Sequence, residues 1–442
     1  MSDYVVRPSA SFRGRIDLPG DKSISHRSVL FGAIAHGTTR VHNLLEGEDV
    51  LATVASFRNM GIVIRKKGRV WEIAGKGLGG LRSPEAILDC GNSGTTMRLM
   101  LGLLAGSGVT ATLTGDASLN ARPMGRVIDP LRSMGATIFE MTETRSTLGE
   151  NIRLIEVRGG GIRGGAFKIP MASAQVKSAL LLAGLMAGRK VSVTEPLKSR
   201  DHTERMLKAF GARVKVKGLT VTVEPVERLK AQQVFVPGDF SSAAFFLVLG
   251  LIGAGKGRLV VRNIGLNPTR VGALEILKKM GGRIRVLRKK TVCGETVGDL
   301  EARPSRLKAV TIGGGLIPRL IDEIPILSVA AAAAEGRTVI RDAGELRVKE
   351  TDRIAALAAE LPRFGVSVKE RKDGLEVTGS RGTLKAAEGN SYGDHRIAMS
   401  LAVLGSIAPG TTRIRETDCV ATSFPNFTAL MRKVGAKISE TQ

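Results

Sequence analysis

The stretch Met60–Ile64, MGIVI, decides how the chain is organised, because it returns five more times with its glycine in the same place. MGATI begins at Met134, FGARV at Phe210, MGGRI at Met280, FGVSV at Phe364 and VGAKI at Val434. The glycines fall at 61, 135, 211, 281, 365 and 435, spaced 70 to 84 residues apart. Ahead of each lies an amphipathic segment with apolar residues three or four apart, as in Asp49–Asn59 and Thr203–Ala209. Each glycine therefore reads as a helix C′ residue that leads into a strand.

A second signature recurs in the same register, a small or acidic turn opening an apolar helix. It reads PGDKSISHRSVL from Pro19, CGNSGTTMRLML from Cys90, PMASAQVKSALLL from Pro170, PGDFSSAAFFLVL from Pro237, LIDEIPILSVAAA from Leu320 and YGDHRIAMSLAVL from Tyr392. Ser, Asp or Asn in such turns can cap unpaired helix N–H groups. After each helix comes a Gly and a β-rich stretch, as in GRKVSVTEP and GKGRLVVRN. The fold class is therefore α/β, six strand and helix units in all. Helices such as SALLLAGLMAG are apolar nearly all round, so they belong inside a domain. A period near 75 residues is too long for common solenoids. Two domains of three units each follow, with unit four opening near Val236–Asp239 and a leading strand Val5–Leu18 ahead of unit one.

The 442 residues suit two domains, and 43% hydrophobic residues suffice for real cores. The apolar run around 243–255 is shorter than the ~18 residues of a bilayer span, and the opening MSDYVVRPSA lacks a secretory pattern. Cys90, Cys293 and Cys419 lack CxxC spacing, which speaks against a disulfide framework or zinc site and for a reducing, cytoplasmic setting. The net charge of +25 suits either a nucleic acid or an acidic small substrate. With two tyrosines and one tryptophan, base-stacking platforms are scarce, so no nucleic-acid partner is expected.

Chemistry is sought where the six starts differ. Unit one carries Lys22, Ser23 and Arg27; unit two Asn92, Gly94, Thr95 and Arg98; unit three Ser173, Gln175 and Lys177; unit six Asp394, His395 and Arg396. Cations at helix N-termini oppose the helix dipole unless an anion is bound there. Solvated surface charge is the competing reading, and four coincident cases weigh against it. Arg122 sits in the polar loop GDASLNARPMG, and ELRVKETDR brings Lys349, Glu350 and Arg353 together, with Asp322 in LIDEIP one unit start earlier. Arginine forks recognise carboxylate and phosphate, and a carboxylate among cations is a candidate proton shuttle. VKETDR also suits an ordinary charged helix start. The five histidines show no HExxH or triad spacing, and those other than His395 read as caps or surface residues. No GxSxG, P-loop or early GxGxxG is present.

LPGDKSISHR, GNSGTTMR, ARPMG, SAQ, IDEIP, RVKETDR, YGDHRIAM and TSFPNF, in this order along nearly the whole chain, resemble the 5-enolpyruvylshikimate-3-phosphate synthase family, class II branch. The resemblance implies two inside-out α/β barrel-like domains of three units each. Residues 1–19 with 239–442 would form the C-terminal-side domain and residues 20–238 the N-terminal-side domain. It implies a cofactor-free transfer of the enolpyruvyl group of phosphoenolpyruvate to the 5-hydroxyl of shikimate 3-phosphate, by a monomer of the shikimate pathway. By motif, Ser23, Arg27, Ser173, Gln175, Asp322 and Lys349 would hold shikimate 3-phosphate, with Arg200 in KSRDHTE as an added cation. Lys22, Gly94, Arg122, Arg353 and Arg396 would hold phosphoenolpyruvate. Asp322 would act as base on the hydroxyl, and Glu350 with Lys22 would handle the proton at the methylene carbon. Asp49, Asn92, Thr95, Arg98, Asp394 and His395 complete the candidate set.

Three positions depart from the family pattern: Thr422 replaces a lysine, Glu345 an asparagine and Ala174 a serine-type donor. The class II branch is associated with reduced glyphosate sensitivity, yet Gly94 leaves room that a methyl would fill, so measurable glyphosate inhibition is the expectation here. The sister transferase acting on UDP-N-acetylglucosamine is disfavoured by Ala117, where that family mostly places cysteine.

Overall fold

The computed structural model describes residues 2–145, 150–379 and 382–441. The chain divides into two compact units, one of Gly20–Val236 and the other made from the residues up to Pro19 together with those from Pro237 onward. Among the described residues the strands form six sheets, three in each unit. All six follow one plan. In the sheet of unit three, Gly165–Lys168 runs parallel to Val191–Thr194, which pairs antiparallel with Thr220–Glu224, which pairs antiparallel with Arg213–Lys217.

The six recurrent glycines explain the sharp turn from helix to strand. All adopt left-handed backbone angles, with φ between +81° and +100°. At each, the N–H of the following residue reaches back to a carbonyl five residues earlier, as in Ile62 N to Phe57 O at 3.0 Å and Ala212 N to Leu207 O at 2.9 Å. This is the closure that ends a helix at a glycine, which lacks the Cβ that would clash there.

The leading stretch is two strands rather than one. Asp3–Arg7 inserts between Thr412–Arg415 and Lys437–Thr441, whereas Gly14–Asp17 runs parallel to Leu259–Gly265 in another sheet of the same unit. Pro8, which has no N–H to donate, and Gly14 at φ +131° interrupt the ladder between them. The first strand thus fills the third position of the last sheet, and the second the opening position of the sheet of unit four.

The helices that follow the six starts form the interior of each unit. Phe240–Ile252 and Ile324–Ala332 are buried along their whole length, as sequences without a polar face require. In the Gly20–Val236 unit, Gly94–Gly106 and Ala174–Met186 approach until their backbones touch. A Cβ at Gly102 would lie 2.2 Å from the Ala179 carbonyl oxygen, and one at Gly106 2.2 Å from that of Ala183. Glycine at both positions permits this crossing, which brings the two helix starts together. Among the described residues no helix is long and apolar enough to cross a membrane.

Candidate active site

In the Gly20–Val236 unit, each of three helix starts is tied by a side-chain cap. Asp21 accepts from Ile24 N at 2.9 Å, Ser93 from Thr96 N at 3.1 Å and Ser173 from Val176 N at 3.4 Å. These caps satisfy backbone donors that would otherwise lack partners. Lys22 forms an ion pair with the buried carboxylate of Asp49. Arg98 donates to Gln175 Oε1 at 2.5 Å, and Gln175 donates to Thr95 Oγ1 at 2.8 Å, so the close helix crossing becomes a polar junction. Arg122 is buried and donates to the Asn92 carbonyl at 3.2 Å, to Asn92 Oδ1 at 2.6 Å and to Ser118 Oγ at 3.2 Å. A methyl on Gly94 would meet the Arg98 and Arg122 guanidinium groups at 3.4 Å each. Arg27 is buried against Thr203 Oγ1 at 2.7 Å, Ser178 Oγ at 3.1 Å and the Ser23 carbonyl at 3.0 Å. Ser23 and Arg200 are half-buried, the latter in the loop 195–201.

In the other unit the candidates gather on Asp322, which lies in a short 3-10 turn just before Ile324–Ala332. Its carboxylate stands 3.5 Å from Lys349 Nζ and 3.6 Å from an Arg353 nitrogen, and its main-chain oxygen accepts from Arg396 at 3.0 Å. Arg353 is 1% exposed. It donates to Asp394 Oδ2 at 2.7 Å and to Glu350 Oε2 at 2.6 Å. Burial alone would lower the pKa of this guanidinium; Asp394, Glu350 and Asp322 outweigh that and hold it above the ordinary value. Asp394 also caps the helix His395–Gly405, accepting from Arg396 N at 2.8 Å, and His395 is buried at its first position. The VKETDR segment opens a charged helix, as one of its two readings expects. Asp352 caps the helix Arg353–Arg363 and pairs with Arg347 at 2.8 Å, while Lys349, Glu350 and Arg353 join the Asp322 cluster.

Several side chains stand differently from the sequence reading. Lys177 is no anion-facing cation: it is buried 2.9 Å from Glu195 and 2.7 Å from Glu204. His26 and His202 are buried rather than caps or surface residues, because the helix starts that carry them face the interior. His26 Nδ1 lies 2.7 Å from Thr53 Oγ1, which lies 2.7 Å from Thr96 Oγ1. Burial, then Lys22 and Arg27, hold its pKa well below the ordinary value, so His26 is neutral. Of the departures, Thr422 donates to the Cys419 carbonyl at 2.7 Å, Glu345 is exposed, and Ala174 is the first residue of its helix.

Sequence reasoning passed over Arg270, which is buried and reaches Glu323 at 3.1 Å and Asp322 at 4.0 Å. Its signal was slight: a lone arginine in LNPTR, outside the recurrent starts.

Residues 6–431 match the family model described as EPSP synthase (3-phosphoshikimate 1-carboxyvinyltransferase). A 3-phosphoshikimate 1-carboxyvinyltransferase of Geotalea uraniireducens is 52% identical over 434 residues, covering 98% of this chain and 99% of the relative. One of Geobacter metallireducens is 49% identical over 437 residues, covering 99% and 100% respectively. The solved EPSP synthase of Acinetobacter baumannii is similar in structure, with a TM-score of 0.87 at 43% identity and complete coverage of both chains.

Proposed function

The chain belongs to the EPSP synthase family and moves the enolpyruvyl group of phosphoenolpyruvate onto shikimate 3-phosphate; we propose that it does so with Asp322, Glu350 and Lys22 as its proton-handling groups. The domain reading that goes with this is two inside-out α/β barrel-like domains of three units each. Ser23, Arg27, Ser173, Gln175, Arg200, Asp322 and Lys349 hold shikimate 3-phosphate, while Lys22, Gly94, Arg122, Arg353 and Arg396 hold phosphoenolpyruvate.

The chemistry needs a proton on the methylene carbon and loss of one from the 5-hydroxyl as its oxygen bonds to the adjoining carbon. Glu350 with Lys22 supplies the first, and Asp322 accepts the second. When the tetrahedral intermediate collapses, phosphate departs, the methyl group returns its proton, and the enol ether remains. Each substrate brings a phosphate and a carboxylate, which suits arginine forks and lysines set at helix starts. The observation that carries the reading is Asp322, 16% exposed, with Lys349 and Arg353 within 4 Å of its carboxylate. Such a carboxylate is accessible enough to meet a hydroxyl and is held by cations suited to an anionic substrate.

Phosphate release from phosphoenolpyruvate and shikimate 3-phosphate tests the assignment. Wild-type enzyme turns over, and Lys22→Ala and Glu350→Ala each lose at least about a hundredfold in kcat, as for loss of a general acid or base. Normal turnover in both variants overturns it.

A further inference from the structure

Arg270 lies in the segment 266–271, between the strand Leu259–Gly265 and the helix Gly272–Lys279. Apart from Pro268 the segment is buried, and it is tightly tied. Asn267 Oδ1 accepts from Thr269 N at 2.9 Å and from Thr269 Oγ1 at 2.8 Å, and Asn267 Nδ2 donates to Glu295 at 3.0 Å. Arg270 N donates to the Asn267 carbonyl at 2.8 Å. Arg270 is 3% exposed, and the two terminal nitrogens of its guanidinium reach different elements. One lies 3.1 Å from Glu323 Oε1 and 4.0 Å from Asp322 Oδ2. The other lies 2.5 Å from Ser241 Oγ and 3.5 Å from Asp239 Oδ1. Ser241 in turn donates to Glu323, and Asp239 caps the helix Phe240–Ile252. The fork therefore bolts the 3-10 turn bearing Asp322 to the start of a helix whose every residue is buried.

We propose that Arg270 is the positioning residue for Asp322, holding its turn in place from the interior and supplying a fixed positive charge behind the carboxylate. This rests on the assignment of Asp322 as the base. Lys349 and Arg353 face Asp322 from the RVKETDR segment, and Arg396 holds its main-chain oxygen from the helix His395–Gly405. Glu323 is its chain neighbour; Glu350 and Asp394 stand behind Arg353, and Asp239 behind Arg270. Lys349, Arg353 and Arg396 belong to the set that meets the substrates. Arg270 carries charge to Asp322 from the buried interior. A guanidinium does this where an ammonium cannot, because its planar fork grips two partners at a fixed angle.

The test is the pH profile of kcat for Arg270→Met and Arg270→Lys, with Asp322→Asn as control. Losing a cation 4.0 Å from a carboxylate favours the protonated acid, so the acid limb of Arg270→Met moves up by about one pH unit. KM for phosphoenolpyruvate, which Asp322 does not hold, stays within about twofold of wild type. Arg270→Lys keeps the buried positive charge but loses the fork that reaches Glu323 and Ser241 together. Its limb stays in place while kcat falls about tenfold, the consequence of a slightly misplaced base. A wild-type limb in Arg270→Met overturns the proposal. If that variant does not fold, wild-type kcat in Arg270→Lys overturns it and the tenfold loss supports it. A role in stability alone would lower the yield of folded protein without moving the limb. Asp322→Asn separates the two ideas. Near-normal turnover there overturns the base assignment and this proposal with it, whereas an inactive Asp322→Asn beside an unshifted Arg270→Met overturns this proposal alone.

Discussion

Arg353 and Asp394 meet at 2.7 Å with both side chains shut away from solvent, and the same carboxylate caps the helix that presents Arg396. One acidic group thus sets the place of two cations assigned to phosphoenolpyruvate. Asp394→Ala leaves a buried guanidinium partly uncompensated and a helix uncapped, and lowers the unfolding free energy by about 3–5 kcal/mol in urea denaturation. Asp394→Asn keeps the cap and recovers about 1 kcal/mol of that loss. Equal stability of the alanine variant and wild type contradicts the pairing.

Gly102→Ala puts a methyl 2.2 Å from the Ala179 carbonyl oxygen, a distance no packed carbon tolerates. The helices Gly94–Gly106 and Ala174–Met186 must separate, which costs about 1–3 kcal/mol in stability. The Arg98–Gln175 hydrogen bond stretches as they part, so KM for shikimate 3-phosphate rises. Steady-state kinetics beside thermal unfolding shows both effects together, and a stable variant with unchanged KM rules the packing argument out.

Gly94 is different, because a methyl there meets only the ends of two side chains, the Arg98 and Arg122 guanidinium groups at 3.4 Å. Gly94→Ala folds normally and raises KM for phosphoenolpyruvate about tenfold by crowding Arg122, an effect of the size expected for one misfit group. The expected outcome with glyphosate is inhibition of the parent enzyme and weaker inhibition of the variant. A parental inhibition constant in the millimolar range, or equal constants for the two, would contradict this use of Gly94.

His26 sets a pH dependence of stability. Burial first, then Lys22 and Arg27, hold its pKa well below the ordinary 6.5, so the folded protein keeps it neutral where the unfolded chain takes up a proton. A depressed histidine therefore costs stability as pH falls below about 6.5, and none of that cost is present above it. Between about pH 7.5 and about pH 5.5 the His26 contribution therefore lowers stability, by on the order of 1 kcal/mol. In His26→Gln that share of the acid slope disappears. Urea denaturation at the two pH values gives the comparison, and identical slopes refute the assignment.

The recurrent glycines and helix starts were legible because they are local. A left-handed glycine and a capping Ser or Asp are required by the backbone within a few residues of where they stand, so each repeat writes them at the same offset. Lys22, Asp322, Glu350 and Arg396 stood out as exceptions to that repetition, and the family motifs added a substrate to each. The leading stretch was misread as one strand because strand pairing is non-local: Asp3–Arg7 and Gly14–Asp17 find partners hundreds of residues away, in two sheets.

By itself, the sequence determined the six-fold backbone plan and the membership of the family, since both rest on residue types at short, repeated spacings. Tertiary structure alone decided which charges are solvated, buried or shared. Lys177 looked like Lys22 in its repeat until Glu195 and Glu204 closed on it, and Arg270, unremarked in the sequence, meets Glu323, 53 residues on, in the interior. A charged residue has the same letter in either place, and only the folded chain brings the partner that makes its burial possible.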